Sequence, residues 1–114
     1  MRVTIIPKDG RVVVDGEGYG DIDLSSIDPI VHAIQWYDTE GEVEIKDARG
    51  RMVENRVITS FDEFAFVVPL WEAAAEAARL KQLEHEAAVA QAEAVKVEME
   101  NQLQIEAAQA QQTP

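Results

Sequence analysis

The chain has 114 residues, no cysteine and a net charge of −12, from 22 acidic against 10 basic residues. That length allows one domain at most, and the missing cysteines exclude disulfides and thiolate-held zinc. The charge repels phosphate backbones and anionic membrane surfaces, so neither nucleic acid nor membrane is an expected partner. No stretch approaches the roughly 18 apolar residues of a membrane-spanning helix. Arg2, Thr4, Lys8 and Asp9 interrupt any N-terminal apolar run of the signal-peptide kind, so synthesis in the cytosol is expected.

Val3 to Pro7 reads as a strand, Asp9-Gly10 as a tight turn, and Arg11 to Asp15 as the return strand. The two-residue period puts Val3 with Ile5 on one face and Val12 with Val14 on one face. Gly16, Gly18 and Gly20 then mark a turn or a bulged edge. Asp21 to Leu24 suggests a short strand, and Ser25 to Pro29 a turn or a single helical turn with Ser25 or Ser26 as its cap. Val31 to Tyr37 is a clear strand, with His32, Ile34 and Trp36 on one face and Val31, Ala33, Gln35 and Tyr37 on the other. Trp36 is expected in the core. After a turn at Asp38 to Gly41, Glu42 to Lys46 alternates with Val43 and Ile45 inward, and Met52 to Ile58 follows a turn at Ala48 to Gly50. The pattern predicts a meander of about five short antiparallel strands.

Ser60 and Glu63 have the spacing of a capping box, which predicts a short helix from Phe61 to Val68 that packs Phe61, Phe64 and Val68 on the sheet. Pro69 is expected to kink or break this helix. From Leu70 to about Ala110 there is neither Gly nor Pro, and Ala, Glu, Gln, Leu and Lys dominate, so one long helix is expected, with a frayed C-terminus. The fold class is therefore α+β: a small antiparallel β-meander domain with a short packing helix over residues 1–69, then a long Ala-rich helix over 70–114. A globular part of roughly 60 residues buries only about 60% of its unfolded surface, so helix packing or a partner is expected to help hold it.

Leu80, Leu83, Ala87, Ala90, Ala94 and Val97 follow heptad spacing on that helix, a coiled-coil seam made mostly of alanine. The phase then meets Asn101 and Gln104, while Ala88, Ala92, Val95, Met99 and Leu103 form a second stripe; together they suggest a broad, shallow apolar face. Alanine buries little area, so self-association through this seam alone would be weak. The stripe fits an oligomerisation stem, giving a dimer or trimer, or an arm lying on a partner. A solvated helix held by propensity alone is the plainer alternative. Leu70, Trp71, Leu80 and Leu83 are apolar enough that packing is expected for Leu70 to Leu83. Tyr37, Leu80, Leu83, Ala87, Ala90, Ala94 and Val97 are the candidate partner-binding residues.

Nothing in the sequence calls for catalysis, a metal or a cofactor. His32 reads as a packed or hydrogen-bonded strand residue and His85, between Glu84 and Glu86, as a surface residue with no second helical ligand nearby. No nucleophile elbow, phosphate-binding lysine loop or paired-histidine zinc motif occurs. Asp15, Glu17, Asp21 and Asp23 cluster without EF-hand spacing, which suits a charged edge better than a calcium site. Glu42 and Glu44 read as the exposed face of a strand.

The segments Val3-Thr4-Ile5-Ile6-Pro7, Val14-Asp15-Gly16, Asp23-Leu24-Ser25-Ser26-Ile27-Asp28, His32-Ala33-Ile34-Gln35-Trp36-Tyr37, Gly41-Glu42-Val43-Glu44 and Ile58-Thr59-Ser60 together resemble small accessory proteins of tailed bacteriophages. These are encoded among tail genes and described as tail-fibre or tail assembly chaperone-like. The resemblance covers about the first 70 residues and is weak over the helix. It implies a non-enzymatic protein that binds a tail-fibre or baseplate protein, either as an assembly chaperone in the host cytoplasm or as a small component of the virion tail. It brings no catalytic residues with it.

A reading from another class is an acidic anti-defence protein that blocks a host nuclease by imitating the charge of DNA. The acidity is spread along the chain, with seven basic against twelve acidic residues in 1–60 and three against ten in 61–114, which does not favour it. An enzyme or small-ligand binder using the loop from Asp15 to Asp23 ranks third.

Overall fold

The computed structural model describes residues 1–112, with side chains through residue 110. It is an α+β protein: a six-stranded antiparallel sheet followed by one long helix. The strands are β1 (Arg2–Ile6), β2 (Arg11–Val14), β3 (Glu17–Tyr19), β4 (Val31–Tyr37), β5 (Gly41–Lys46) and β6 (Met52–Ile58), and the helix is α1 (Val67–Gln112). The chain divides into two compact units, the first covering Met1–Ala77 and the second beginning at Ala78.

The strand order is β3-β2-β1-β4-β5-β6, so the sheet departs from a meander at one step. β4 pairs with β1 rather than with its predecessor β3. Residues 20–30 make that crossing, and they do so without a ladder. The strand expected at Asp21 to Leu24 is absent, yet Ile22, Leu24 and Ile27 are buried in the core. The alternation there comes from a loop laid against the apolar side of the sheet, tied down where the Ile22 N–H donates to the Gly10 carbonyl at 2.9 Å.

Of two Asp-Gly pairs, the second makes the two-residue hairpin. Val14 pairs with Glu17, and Asp15 and Gly16 both have positive φ (50° and 86°), the signature of a type I′ turn. The first pair, Asp9-Gly10, instead ends a 3-10 turn over Pro7–Asp9, with Gly10 left-handed at φ 59°. The faces expected of β1 and β2 hold: Val3 lies opposite Val14 and Ile5 opposite Val12, all four buried.

One side of the sheet carries the core. Trp36 is buried there as expected, stacked on Phe61 with ring centroids 5.4 Å apart. Phe61 and Phe64 are buried and Val68 packs against them, so the expected contacts form. The element that carries them differs. Residues Asp62–Phe64 form a 3-10 turn, and Val67 already begins α1. Ser60 Oγ accepts from the Asp62 N–H at 3.2 Å, closing a local turn rather than capping a helix. Pro69 does not break α1, which runs on through it. It lies in the first helical turn, where the backbone N–H groups have no intrahelical partner, so a missing donor costs nothing. The helix runs to Gln112, past the expected end near Ala110, and the rest of the C-terminus expected to fray, 113–114, lies outside the described residues.

Gly41 is buried opposite Trp36. A Cβ at this position would collide with the Gln35 carbonyl oxygen and press on the Trp36 ring, so the close approach of β5 to β4 requires glycine.

Candidate interaction surfaces

β4 has a register shift between Val31 and Ala33, and this moves His32 off the face it was expected to share with Ile34 and Trp36. Ile34 and Trp36 are buried, while His32 is exposed and not packed. Tyr37 is exposed on the open side of the sheet. The Arg2 guanidinium lies 5.2 Å from its ring centroid, a cation–π contact between residues paired across β1 and β4. Beside it, Tyr37, Glu40, Glu42 and Val57 border a shallow cleft of about 130 Å³.

Two members of the acidic cluster, Asp15 and Asp23, bond locally near turns. Asp15 Oδ1 accepts from the Arg2 N–H at 2.8 Å. Asp23 Oδ1 accepts from both the N–H and the hydroxyl of Ser25, at 3.0 and 2.6 Å, so the aspartate rather than the serine organises this turn. Those bonds hold the Asp23 carboxyl below its ordinary pKa, the Ser25 hydroxyl contributing most. Among the described residues, no group of three or more His, Asp or Glu side chains is placed to hold a metal ion.

The candidate residues on α1 are all exposed: Leu80 at 47%, Leu83 at 49%, Val97 at 54%, and Ala87, Ala90 and Ala94 with them. The packing expected from Leu70 to Leu83 is met in part, by Trp71 and Ala74, which are half-buried against the core; Leu70, Leu80 and Leu83 are exposed. Val95, Met99 and Leu103 of the second stripe are exposed too. In a helix one residue turns the side chain by roughly 100°. A stripe shifted by one position therefore lies on another side, and the two stripes do not merge into the single broad face expected of them. The helix offers apolar residues on two sides.

The periodicity gave no sign of how the two ends of the sheet differ. At one end, β3 has three residues, and its Glu17 carbonyl accepts from Trp71 Nε1 at 2.8 Å. Tyr19 packs against the same indole with centroids 5.7 Å apart. Burial there, reinforced by the neighbouring Glu17, raises the Tyr19 hydroxyl pKa. At the other end, β6 has seven residues, of which six are exposed and Ile58 is half-buried. No described strand pairs with its outer side. Next to it a cleft of about 200 Å³ is lined by Ile30, Ile58, Phe64 and Phe66, with Arg56 and Glu63. Glu63 thus faces this cleft instead of closing a capping box. The strand is launched by Asp47, whose Oδ1 accepts from the Arg49 and Arg51 N–H groups and whose Oδ2 accepts from Arg51 Nε. The Arg51 backbone bond is the largest cause of a lowered Asp47 pKa.

The site therefore consists of surfaces: an uncovered strand, its flanking cleft and an exposed helix. No protein-family model, no curated protein and no solved structure matches the chain.

Proposed function

We propose that this chain is a non-enzymatic accessory protein of a phage tail, which binds a tail-fibre or baseplate protein as an assembly chaperone or as a small structural component. The observation that carries the binding role is the run of large apolar side chains left exposed on α1, from Leu80 and Leu83 to Met99, Leu103 and Ile105. Apolar residues in such number on two sides of one helix fit contact with more than one partner helix or chain. The tail assignment rests on the sequence resemblance over the sheet domain. In this reading the helix lies along a trimeric partner or joins copies of the chain, and the acidity keeps the unpartnered form soluble.

The test is capture from infected cells with the intact chain and with a Leu80→Gln/Leu83→Gln variant, alongside mass spectrometry of purified virions. Capture of a tail-fibre or baseplate protein that is lost in the variant supports the proposal. Presence in virions at a fixed ratio makes the chain a tail component, and capture without presence makes it a chaperone. If no tail protein is captured and the chain is absent from virions, the tail reading fails and the nuclease-blocking alternative takes its place.

A further inference from the structure

β6 reads Met52-Val53-Glu54-Asn55-Arg56-Val57-Ile58. Its pairing with β5 fixes which way each side chain faces. Arg56 lies opposite Val43 and Glu54 opposite Ile45, on the core side of the sheet. Val57 lies opposite Glu42 and Asn55 opposite Glu44, on the open side. Val53 is the extra residue of a register shift between Met52 and Glu54, so the regular alternation of the strand runs from Glu54 to Ile58.

Now place a second copy of the strand against the bare outer side, antiparallel, with a two-fold axis through Asn55. Each Glu54 then faces Arg56 of the other copy. Asn55 faces its own equivalent. Within the regular part of the strand the opposed pairs are matched in chemistry and face: two opposite-charge pairs on the core side and an asparagine pair on the open side. Cross-strand pairs of these kinds stabilise antiparallel sheets. A self-complementary patch around a two-fold axis is what a symmetric dimer needs. Within one chain, Arg56 Nε and Glu54 Oε1 are 3.7 Å apart, with both side chains more than half exposed, so both charges are open to a facing strand. Val53 and Val57 are 60% and 64% exposed.

From this charge and face complementarity we infer that β6 is a homodimerisation strand. Two copies of the chain join β6 to β6 around Asn55 and continue the six-stranded sheet of one protomer into that of the other. Main-chain bonds across the new ladder supply the affinity, and the Glu54–Arg56 pairs set direction and register. This association does not depend on the helix stripes or on the tail reading.

The chain has no cysteine of its own, so Asn55→Cys introduces a unique thiol. Directly opposed residues in antiparallel strands have Cα atoms about 4.5–5.5 Å apart, inside the range of about 4.4–6.8 Å that a disulfide spans. The full-length Asn55→Cys protein is expected to oxidise to a covalent dimer. Adding Glu54→Arg, or separately Arg56→Glu, sets like charges face to face and should slow that cross-link and weaken dimerisation in sedimentation by about tenfold. Mixing the two charge variants restores complementarity, and mass spectrometry should find the mixed dimer in excess over either homodimer. Near-UV circular dichroism of the tryptophans verifies that each variant is folded. The inference is overturned if folded Asn55→Cys does not cross-link, if Glu54→Arg cross-links as fast as its parent, or if mixing yields a statistical distribution. Association through α1 alone would give that last pattern, and failure of tail-protein capture would leave all these results unchanged.

Discussion

β3 closes one end of the sheet with three residues, Glu17–Tyr19, whose Glu17 carbonyl accepts from Trp71 Nε1 and whose one aromatic side chain packs on the same indole. β6 ends the other side with seven residues and no such cover. Sheet edges invite pairing with other chains, and proteins usually blunt them with short strands, charges or covering elements. The first end follows that rule. The second keeps a register shift at its start and two opposite charges, Glu54 and Arg56, and the charges direct pairing as much as they resist it. One fold thus carries a guarded edge and an open one, and the open one is where a binding function would be looked for.

The contrast can be broken from the middle. Trp36 lies on β4, between the two ends, and is buried against Phe61. Trp36→Ala is expected to cost about 3–5 kcal/mol, the usual range for emptying a core aromatic site. Both ends of the sheet should then lose amide protection in one transition. An unchanged melting curve would remove Trp36 from the core.

A smaller change should open only the guarded end. Trp71 is half-buried, so Trp71→Ala is expected to cost about 2–3 kcal/mol, and Trp71→Phe, which keeps a ring but loses the N–H donor, about 1 kcal/mol. Hydrogen exchange should speed up first at Glu17–Tyr19 and leave β5 and β6 protected. Uniform loss across the sheet would show that Trp71 supports the whole core and not this edge.

The turn before β6 adds a pH dependence. The folded Asp47 carboxyl is shifted below its ordinary value, chiefly by the Arg51 N–H. The stabilisation it supplies is therefore complete above the unfolded carboxyl pKa of about 3.9 and disappears as pH falls through the lower folded value. Acid should loosen the β5–β6 turn, and Asp47→Asn should flatten that part of the decline. An identical acid profile in wild type and variant would clear Asp47 of the effect. The smallest effect is expected at the open end itself. Val57→Thr changes an exposed side chain and should shift the stability of dilute protein by less than about 0.5 kcal/mol. A larger loss would mean that something covers Val57 even in dilute solution.

Local pattern located most of these elements, because it records what each residue does with its immediate neighbours. β4 and β6 have the bounds that their flanking turns suggest, and Val3, Ile5, Val12, Val14, Val43 and Ile45 are buried as their alternation requires. Two Asp-Gly pairs six residues apart could not be ranked by turn propensity. Pro7 decided between them by starting a 3-10 turn that uses up the residues before Gly10. Ile22 and Leu24 alternate like a strand because they face a core, and periodicity does not separate that from pairing. The bond from Trp71 to Glu17 joins residues 54 positions apart, which no local signal reports. The exposed helix positions were legible as candidate contacts. The symmetry around Asn55 was present in the sequence as well, but it acquires meaning only once β6 is known to be the last strand.

Gly41 has a consequence for folding that alternation alone does not supply. A slip of β5 along β4 by one residue would turn Val43 and Ile45 to solvent and is rejected by the hydrophobic effect. A slip by two keeps every face correct, and only shape can oppose it. In this hairpin the place beside Trp36 admits no Cβ, so a register that brought Val43 there would collide with the Gln35 carbonyl. Gly41 serves as an index mark: it permits one alignment of the hairpin among those of equal hydrophobic merit, and so fixes where along β5 the strand β6 is laid down.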